Sequence, residues 1–291
     1  MNSEKRINKF KKQNTLEQLV KCVKGFGPYH RSYCFYTSLD RVLQMMGPKY
    51  HRLWLTRLDA ELFDDGIEHK KYGSEKERRR TYIRSFMFGS QESAAMWGLY
   101  CPYTYKAIRV NITQNAIKSL RKDLVYKVVS GNNTDDTCNV DDLFVSDILY
   151  AAVENEDSNE DRTRSLFWNG VYSVGLKKLK AEKDFSVATG FVKDAEWRFQ
   201  NECRLICKAK DCKASEDVDE HLAIDLPKSF FDGGSFVLSP WANEDEQLFV
   251  RQQLLHCFKN VGRKVRVDDN KVFHRSKLES GLQQWAKQRG L

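Results

Sequence analysis

The sequence lacks most of the motifs that announce a common chemistry. No Gly-rich phosphate loop occurs, and no Gly-x-Gly-x-x-Gly opens a helix. His-Glu-x-x-His, Gly-x-Ser-x-Gly and Cys-x-x-Cys are all missing. These absences remove P-loop phosphoryl transfer, Rossmann-type dinucleotide binding, zincin proteolysis and α/β-hydrolase chemistry from first consideration. No apolar run reaches the roughly 20 residues that a membrane-spanning helix needs. The N-terminus is basic and polar with no apolar stretch behind it, so no secretory leader is expected. No internal repeat is visible.

Cysteine is present but unorganised. The 8 cysteines are scattered through 291 residues, unlike a small disulfide framework. Cys203, Cys207 and Cys212 are neighbours in sequence, but Cys-x3-Cys-x4-Cys is a poor zinc spacing. Cys203 and Cys207 fit better as inward residues of a strand, and no metal is expected. The 6 histidines are dispersed, and none of them marks a Cys–His nucleophile pair. The chain reads as cytoplasmic, with reduced thiols and no membrane association.

With 41% hydrophobic residues the chain is long enough to bury a sizeable core. Lys and Arg number 48 against 40 Asp and Glu, a net charge of +8. That balance permits a nucleic acid or another polyanion as partner without demanding one. The basic excess lies at Lys5, Arg6, Lys9, Lys11 and Lys12, at Arg78-Arg79-Arg80, and at Arg263, Lys264 and Arg266.

Periodicity predicts a helix over 15–23, capped by Asn14 or Thr15, with Leu16, Leu19, Val20 and Val23 on one stripe. An aromatic strand at 33–36 runs into a helix capped by Thr37 or Ser38 and ended by Gly47-Pro48. Further strands are expected at 53–55, 82–88, 107–111, 125–129, 222–226, 236–239 and 265–267. Helices are expected at 91–100, 113–124, 147–153, 163–180, 245–258 and 276–287. Residues 131–142 read as a loop. The irregular mixture favours α+β, a split strand-rich core flanked by helices, over a doubly wound sheet. Residues 1–28 read as a basic helical segment and 29–291 as a single domain.

The most informative stretch is Lys193 to Cys207. It begins polar and becomes a strand whose alternation puts Cys203, Leu205 and Cys207 on one face. Glu202 and Arg204 fall on the other, and Gln200 is expected to share it. Gln-x-Glu-x-Arg at the mouth of a strand is a compact polar cluster. A structural Glu202–Arg204 ion pair is the plain alternative. Trp197, just before the strand, is expected to be largely buried.

Several segments together resemble the bacterial family grouped as DUF2971. They are Tyr33-Cys34-Phe35-Tyr36-Thr37-Ser38-Leu39, Phe63-Asp64-Asp65-Gly66-Ile67-Glu68, Ser85-Phe86-Met87 with Met96-Trp97-Gly98-Leu99-Tyr100, and Lys193 with Trp197 to Ile206. The tail Phe236 to Ala242 resembles the family's apolar strand ending in Gly-Pro-x-Ala. Departures are Asp64-Asp65-Gly66 where the family has Asn-Asp-Pro, and Gln200 where it has glutamate.

A second resemblance is to ADP-ribosyltransferases, whose fold is a split, strand-rich α+β core. Their first strand ends in a hydroxyl before a helix, as Phe35 to Val42 does. Their glutamate opens a late strand, which Gln200-Asn201-Glu202 resembles. This resemblance implies NAD as cofactor, Glu202 as catalytic carboxylate and Gln200 as the residue that orients the acceptor. It implies Tyr36, Thr37, Ser85, Trp97, Tyr100 and Arg204 as the lining of the cofactor site. A carboxylate beside the ribose would stabilise the positive charge that develops as nicotinamide leaves. The Arg or His expected on the opening strand falls near Phe35, and Arg31 is the nearest substitute.

Three functions follow. One is an intracellular ADP-ribosyltransferase-like toxin or phage-defence effector acting on a nucleic-acid or protein acceptor. A second is a non-catalytic nucleic-acid-binding or regulatory module, carried by the basic balance and exposed aromatics. A third is a divalent-metal nuclease or hydrolase using Asp64, Asp65 and Glu68.

Overall fold

The computed structural model describes residues 3–47, 51–59, 74–89, 92–101, 104–128, 135–137, 139–153, 164–168, 172–176, 187–210, 221–260 and 265–269. Over these the chain is a mixed α+β protein. In chain order the helices are α1 (Ser3–Lys11), α2 (Leu16–Lys24), α3 (Leu39–Met46), α4 (Glu75–Arg79), α5 (Ala94–Tyr100), α6 (Gln114–Lys118) and α7 (Glu244–Asn260). The strands are β1 (Ser32–Ser38), β2 (Arg52–Arg57), β3 (Thr81–Phe88), β4 (Ala107–Thr113), β5 (Val125–Val128), β6 (Asp135–Thr137), β7 (Val140–Asp147) and β8 (Leu149–Val153). They continue with β9 (Arg164–Trp168), β10 (Tyr172–Leu176), β11 (Val192–Asp194), β12 (Glu202–Ala209), β13 (His221–Asp225), β14 (Ser235–Leu238) and β15 (Arg266–Asp268). Short 3-10 helices cover Lys122–Leu124 and Ala195–Gln200.

Hydroxyl side chains start several of the helices. The Thr15 hydroxyl accepts from the Gln18 N–H at α2, and Ser38 accepts from Arg41 at α3. Ser93 and Thr113 do the same for α5 and α6. Each satisfies an amide that the first helical turn leaves unpaired.

The chain divides into two units. The first gathers Met1–Tyr29, Leu53–Phe88 and Leu120–Asp225. The second gathers His30–Arg52, Gly89–Ser119 and Leu226–Leu291. Residues 1–28 therefore group with the first unit, and 29–291 is shared between both.

In the first unit β12 runs antiparallel to β3 on one side and to β7 on the other. Both of its faces are covered, so Glu202 to Cys207 are all buried. A strand buried on both faces reads as a near-continuous run rather than an alternation. A second sheet pairs β8 with β9 and β9 with β10 antiparallel, and β8 with β11 parallel. Helices α1 and α2 pack on this sheet through Phe10, Leu19, Val23 and Trp168. Phe10 and Phe26 lie 5.2 and 5.0 Å from the Trp168 ring. Asp147 accepts from Trp168 Nε1 at 2.8 Å and from the Tyr29 hydroxyl.

In the second unit β4 pairs antiparallel with both β1 and β14, and β15 lies parallel to β14. Helix α7 buries Val250, Leu254 and Phe258, with Phe258 packed 4.9 Å from Phe236.

Some expectations are corrected. Residues 147–153 and 163–180, expected as helices, hold β8, β9 and β10. The expected loop at 131–142 holds β6 and the start of β7. The helix expected over 113–124 is α6 followed by a separate 3-10 turn. The helix expected at 276–287 and the acidic group Asp64, Asp65 and Glu68 lie outside the described residues. Among the described residues no helix is long and apolar enough to cross a membrane.

Candidate functional site

Glu202 is the first residue of β12. It is delivered by the 3-10 helix Ala195–Gln200 and by Asn201, which turns the chain at φ +46°. Among the described residues Asn201 is the only non-glycine residue with positive φ. Asparagine tolerates this left-handed conformation better than most residues because its short amide bonds locally. The turn has a consequence for Gln200, which was expected on the strand face beside Glu202. It lies instead at the end of the 3-10 helix, and its side chain reaches the cluster from there.

The Glu202 carboxylate is 4% exposed and its two oxygens differ. Oε1 accepts from Ser85 Oγ at 2.5 Å and from Arg204 Nε at 2.6 Å. Among the described residues, Oε2 meets only Lys193 Nζ and Arg204 Nη2, both at 3.4 Å. The first pair are short, strong, charge-assisted bonds; the second are at the edge of hydrogen-bonding range. The Glu202 amide donates to the Tyr150 hydroxyl at 2.9 Å. Burial alone would raise the carboxyl pKa. The Arg204 and Lys193 charges and the bonds from Arg204 and Ser85 overcome that and hold it at about 2. Glu202 is therefore an anion at every ordinary pH.

Register explains why these residues meet. Arg204 pairs with Ser85 across β12 and β3, and side chains two apart on one strand share a face. Lys193 pairs with Tyr150 across β11 and β8. Lys193 Nζ donates to Gln200 Oε1 at 2.9 Å and lies 4.8 Å from the Trp197 ring centroid. Arg204 also donates to the Gly190 carbonyl at 3.4 Å. Trp197, expected to be largely buried, is half-buried and pairs with Phe199 at 6.0 Å.

The first unit thus brings together Glu202, Gln200, Arg204 and Ser85. Sequence reasoning gave no role to Lys193 and missed Tyr150. Tyr150 was hidden because 147–153 read as a helix. Its signal was there: a five-residue apolar run is too short for a helix and long enough for a buried strand.

Tyr36, Thr37, Trp97 and Tyr100 belong to the second unit and form their own group. The Tyr36 and Trp97 rings meet edge to face at 4.8 Å. Trp97 is fully buried and its Nε1 has no hydrogen-bond partner. The Thr37 carbonyl accepts from the Cys101 thiol at 3.7 Å, while Tyr100 is exposed. Arg109, unremarked in the sequence, sits opposite Tyr36 in register and is buried, with Nη2 3.4 Å from the Gly89 carbonyl. Burial, reinforced by the neighbouring Cys34, raises the Tyr36 pKa, so its phenol stays neutral. Burial pushes the Cys101 thiol up to about 12 and raises Cys34 as well, the opposite of an activated nucleophile.

Some cations of the basic runs have partners of their own. Arg79 pairs with Glu75 at 2.6 Å and Arg80 with Asp141 at 2.8 Å. Arg266 pairs with Asp268 at 3.0 Å, and Arg6 stacks 3.9 Å over the Tyr29 ring. Among the described residues no group of three or more His, Cys, Asp or Glu stands ready to hold a metal.

No protein-family model, no curated protein and no solved structure matched the chain when it was compared with known proteins.

Proposed function

We infer that the chain is an NAD-cleaving enzyme of the ADP-ribosyltransferase type, with Glu202 as its catalytic carboxylate. The observation that carries this reading is the asymmetry of Glu202. Oε1 is clamped by Ser85 and Arg204, so the carboxylate cannot swing. Oε2 is held only by two long contacts, which leaves it able to take a short bond from a ligand hydroxyl. An ionised, immobilised carboxylate with one oxygen in reserve suits a reaction in which positive charge develops on a ribose. The carbon–nitrogen bond to nicotinamide breaks, the electron pair leaves with the ring, and Oε2 receives the 2′-hydroxyl hydrogen bond as the sugar becomes cationic. Gln200, held by the same Lys193 ammonium that reaches Oε2, would orient the acceptor. The resemblance to ADP-ribosyltransferases supports the same reading. Tyr36, Thr37, Trp97 and Tyr100 belong to the second unit, and the reading does not depend on them.

The structural reading has its own support. Glu202 is deeply buried between two cations, so part of its charge is already neutralised. Removing one partner of such a pair leaves a buried, uncompensated charge, which costs about 3–5 kcal/mol. One variant separates the two readings. Glu202→Gln keeps the shape and removes the charge. An enzyme should lose roughly 10²–10³-fold in nicotinamide release from NAD. If the wild-type protein releases no nicotinamide, alone or with nucleic acid or cell extract, and the variant is merely less stable, Glu202 is structural.

A further inference from the structure

Helix α7 carries apolar residues on two sides. Val250, Leu254 and Phe258 are buried, and Phe258 packs against Phe236. On the other side Leu248, Phe249 and Leu255 are 53%, 44% and 45% exposed. Single exposed apolar side chains are ordinary, but several within about two turns of one helix form a patch. The patch has an internal order. Asp245, Gln252 and Lys259 follow one another at seven-residue steps, so they run as a line down the exposed side that drifts by about 20° per step. Leu248 and Leu255 lie on one flank of that line, Phe249 and His256 on the other. All of these side chains are exposed. The helix itself is held firmly. At its start Asn243 and Glu246 exchange side-chain-to-backbone hydrogen bonds, both at 2.9 Å. Arg251 ties it to β15 through the Val267 carbonyl and Asp269, both at 2.6 Å.

We propose that this side of α7 docks on the same side of α7 in a second copy of the chain, the two helices antiparallel about a two-fold axis at Gln252. Such an axis exchanges levels equally far from Gln252 and keeps each flank on its own side. Asp245 lies seven residues before Gln252 and Lys259 seven after, so each Asp245 faces Lys259 of the partner subunit. On one flank Leu248 meets Leu255 of the partner subunit; on the other Phe249 meets His256 of the partner subunit. At the axis the two Gln252 amides face each other and can exchange hydrogen bonds. The pattern is therefore complementary to itself, which an isologous interface requires. A parallel pair would set Asp245 against Asp245 and Lys259 against Lys259 and align the helix dipoles, so charge selects the antiparallel form. A wholly apolar partner would cover Asp245, Gln252 and Lys259 without replacing their water. A face about 25 Å long and about 10 Å wide falls short of a standard interface of about 800 Å² per partner. The dimer is accordingly a weak one that follows concentration. It does not depend on the reading of Glu202.

The test is sedimentation of the full chain from about 1 μM to about 1 mM, the span of weak association. Monomer should give way to dimer within it. Asp245→Lys and Lys259→Asp each bring like charges together twice, and each should weaken the dimer about 10-fold or more. The double variant Asp245→Lys/Lys259→Asp restores opposite charges and should dimerise like the wild type. Phe249→Ala should weaken the dimer without rescue. All of these positions are exposed, and thermal melts run alongside verify folding. A cross-link reads the register directly. Under mild oxidation that leaves the wild type unlinked, Gln252→Cys should form a disulfide dimer, because the two copies of this position meet at the axis. Glu244→Cys should not, because its two copies would stand about 24 Å apart along the helices. A wild type that stays monomeric at every concentration overturns the proposal, whether residues 270–291 or another protein covers this face instead. So does a dimer that ignores both single charge reversals, one that the double variant fails to restore, or one that links at Glu244→Cys and not at Gln252→Cys.

Discussion

Glu202 combines near-complete burial with full ionisation, and this sets how the molecule responds to acid. Its carboxyl sits at about 2 in the folded protein against an ordinary 4.5. A carboxyl depressed on folding stabilises the protein above the unfolded value and loses that contribution as pH falls through the folded value. The window is therefore pH 4.5 down to about 2. A depression of this size corresponds to about 3 kcal/mol. Denaturant titrations of wild type and Glu202→Gln should show a stability gap at neutral pH that closes across that window. Carboxylates common to both proteins cancel in the comparison. A gap that stays constant with pH would mean that the charge of Glu202 contributes nothing to folding. The sequence identified this residue and its Arg204 neighbour from two-residue spacing. It gave no role to Lys193 and missed Tyr150, because these reach Glu202 through strand pairings that no local pattern encodes.

At the scale of the element, the decisive feature is the turn at Asn201 between the 3-10 helix and β12. It re-aims Gln200 and opens the strand on Glu202. Left-handed backbone costs an ordinary L-residue roughly 1–2 kcal/mol and glycine almost nothing. Asn201→Ala should therefore be less stable than wild type by about 1 kcal/mol, and Asn201→Gly should be more stable than Asn201→Ala. Equilibrium unfolding of the three proteins checks the order, and an alanine variant as stable as the glycine one would remove strain from the account. Elements with their own punctuation were legible beforehand. Asn14-Thr15 and Thr37-Ser38 announced α2 and α3, with Thr15 and Ser38 the caps in the structure, and the apolar stripe of 245–258 announced α7. One failure is a strand with no alternation to read. Leu149 to Val153 is apolar throughout, so it has no period to read. The hairpin of β9 and β10 was taken for one helix, although Asn169-Gly170 between them is a strong turn dipeptide.

At the scale of the whole chain, the question is what the first 28 residues do. Sequence composition set them apart as a basic helical segment. The structure gives them a share of the first unit's core. Phe10, Leu16, Leu19, Val20 and Val23 are buried in one cluster with Trp168, Leu149 and Phe191. Phe26 covers one side of Trp168, and Tyr29, with Arg6 over its ring, bonds Asp147 beside it. Burying a large apolar side chain is worth about 1.5–3 kcal/mol. Five such side chains approach the whole stability of a domain, about 5–15 kcal/mol. Deleting residues 1–28 would also bare an aromatic surface around Trp168. The truncated protein should therefore fail to show a cooperative melt and should bind a hydrophobic dye in dilute buffer. The basic charge of the segment predicts a different result if it is merely an appendage. In that case the truncated chain would melt like the full one and lose only affinity for polyanions. Phe10→Ala in the full-length chain keeps the charge and removes only packing. It should cost about 3–5 kcal/mol, which ties any loss in the deletion to the core rather than to the lysines.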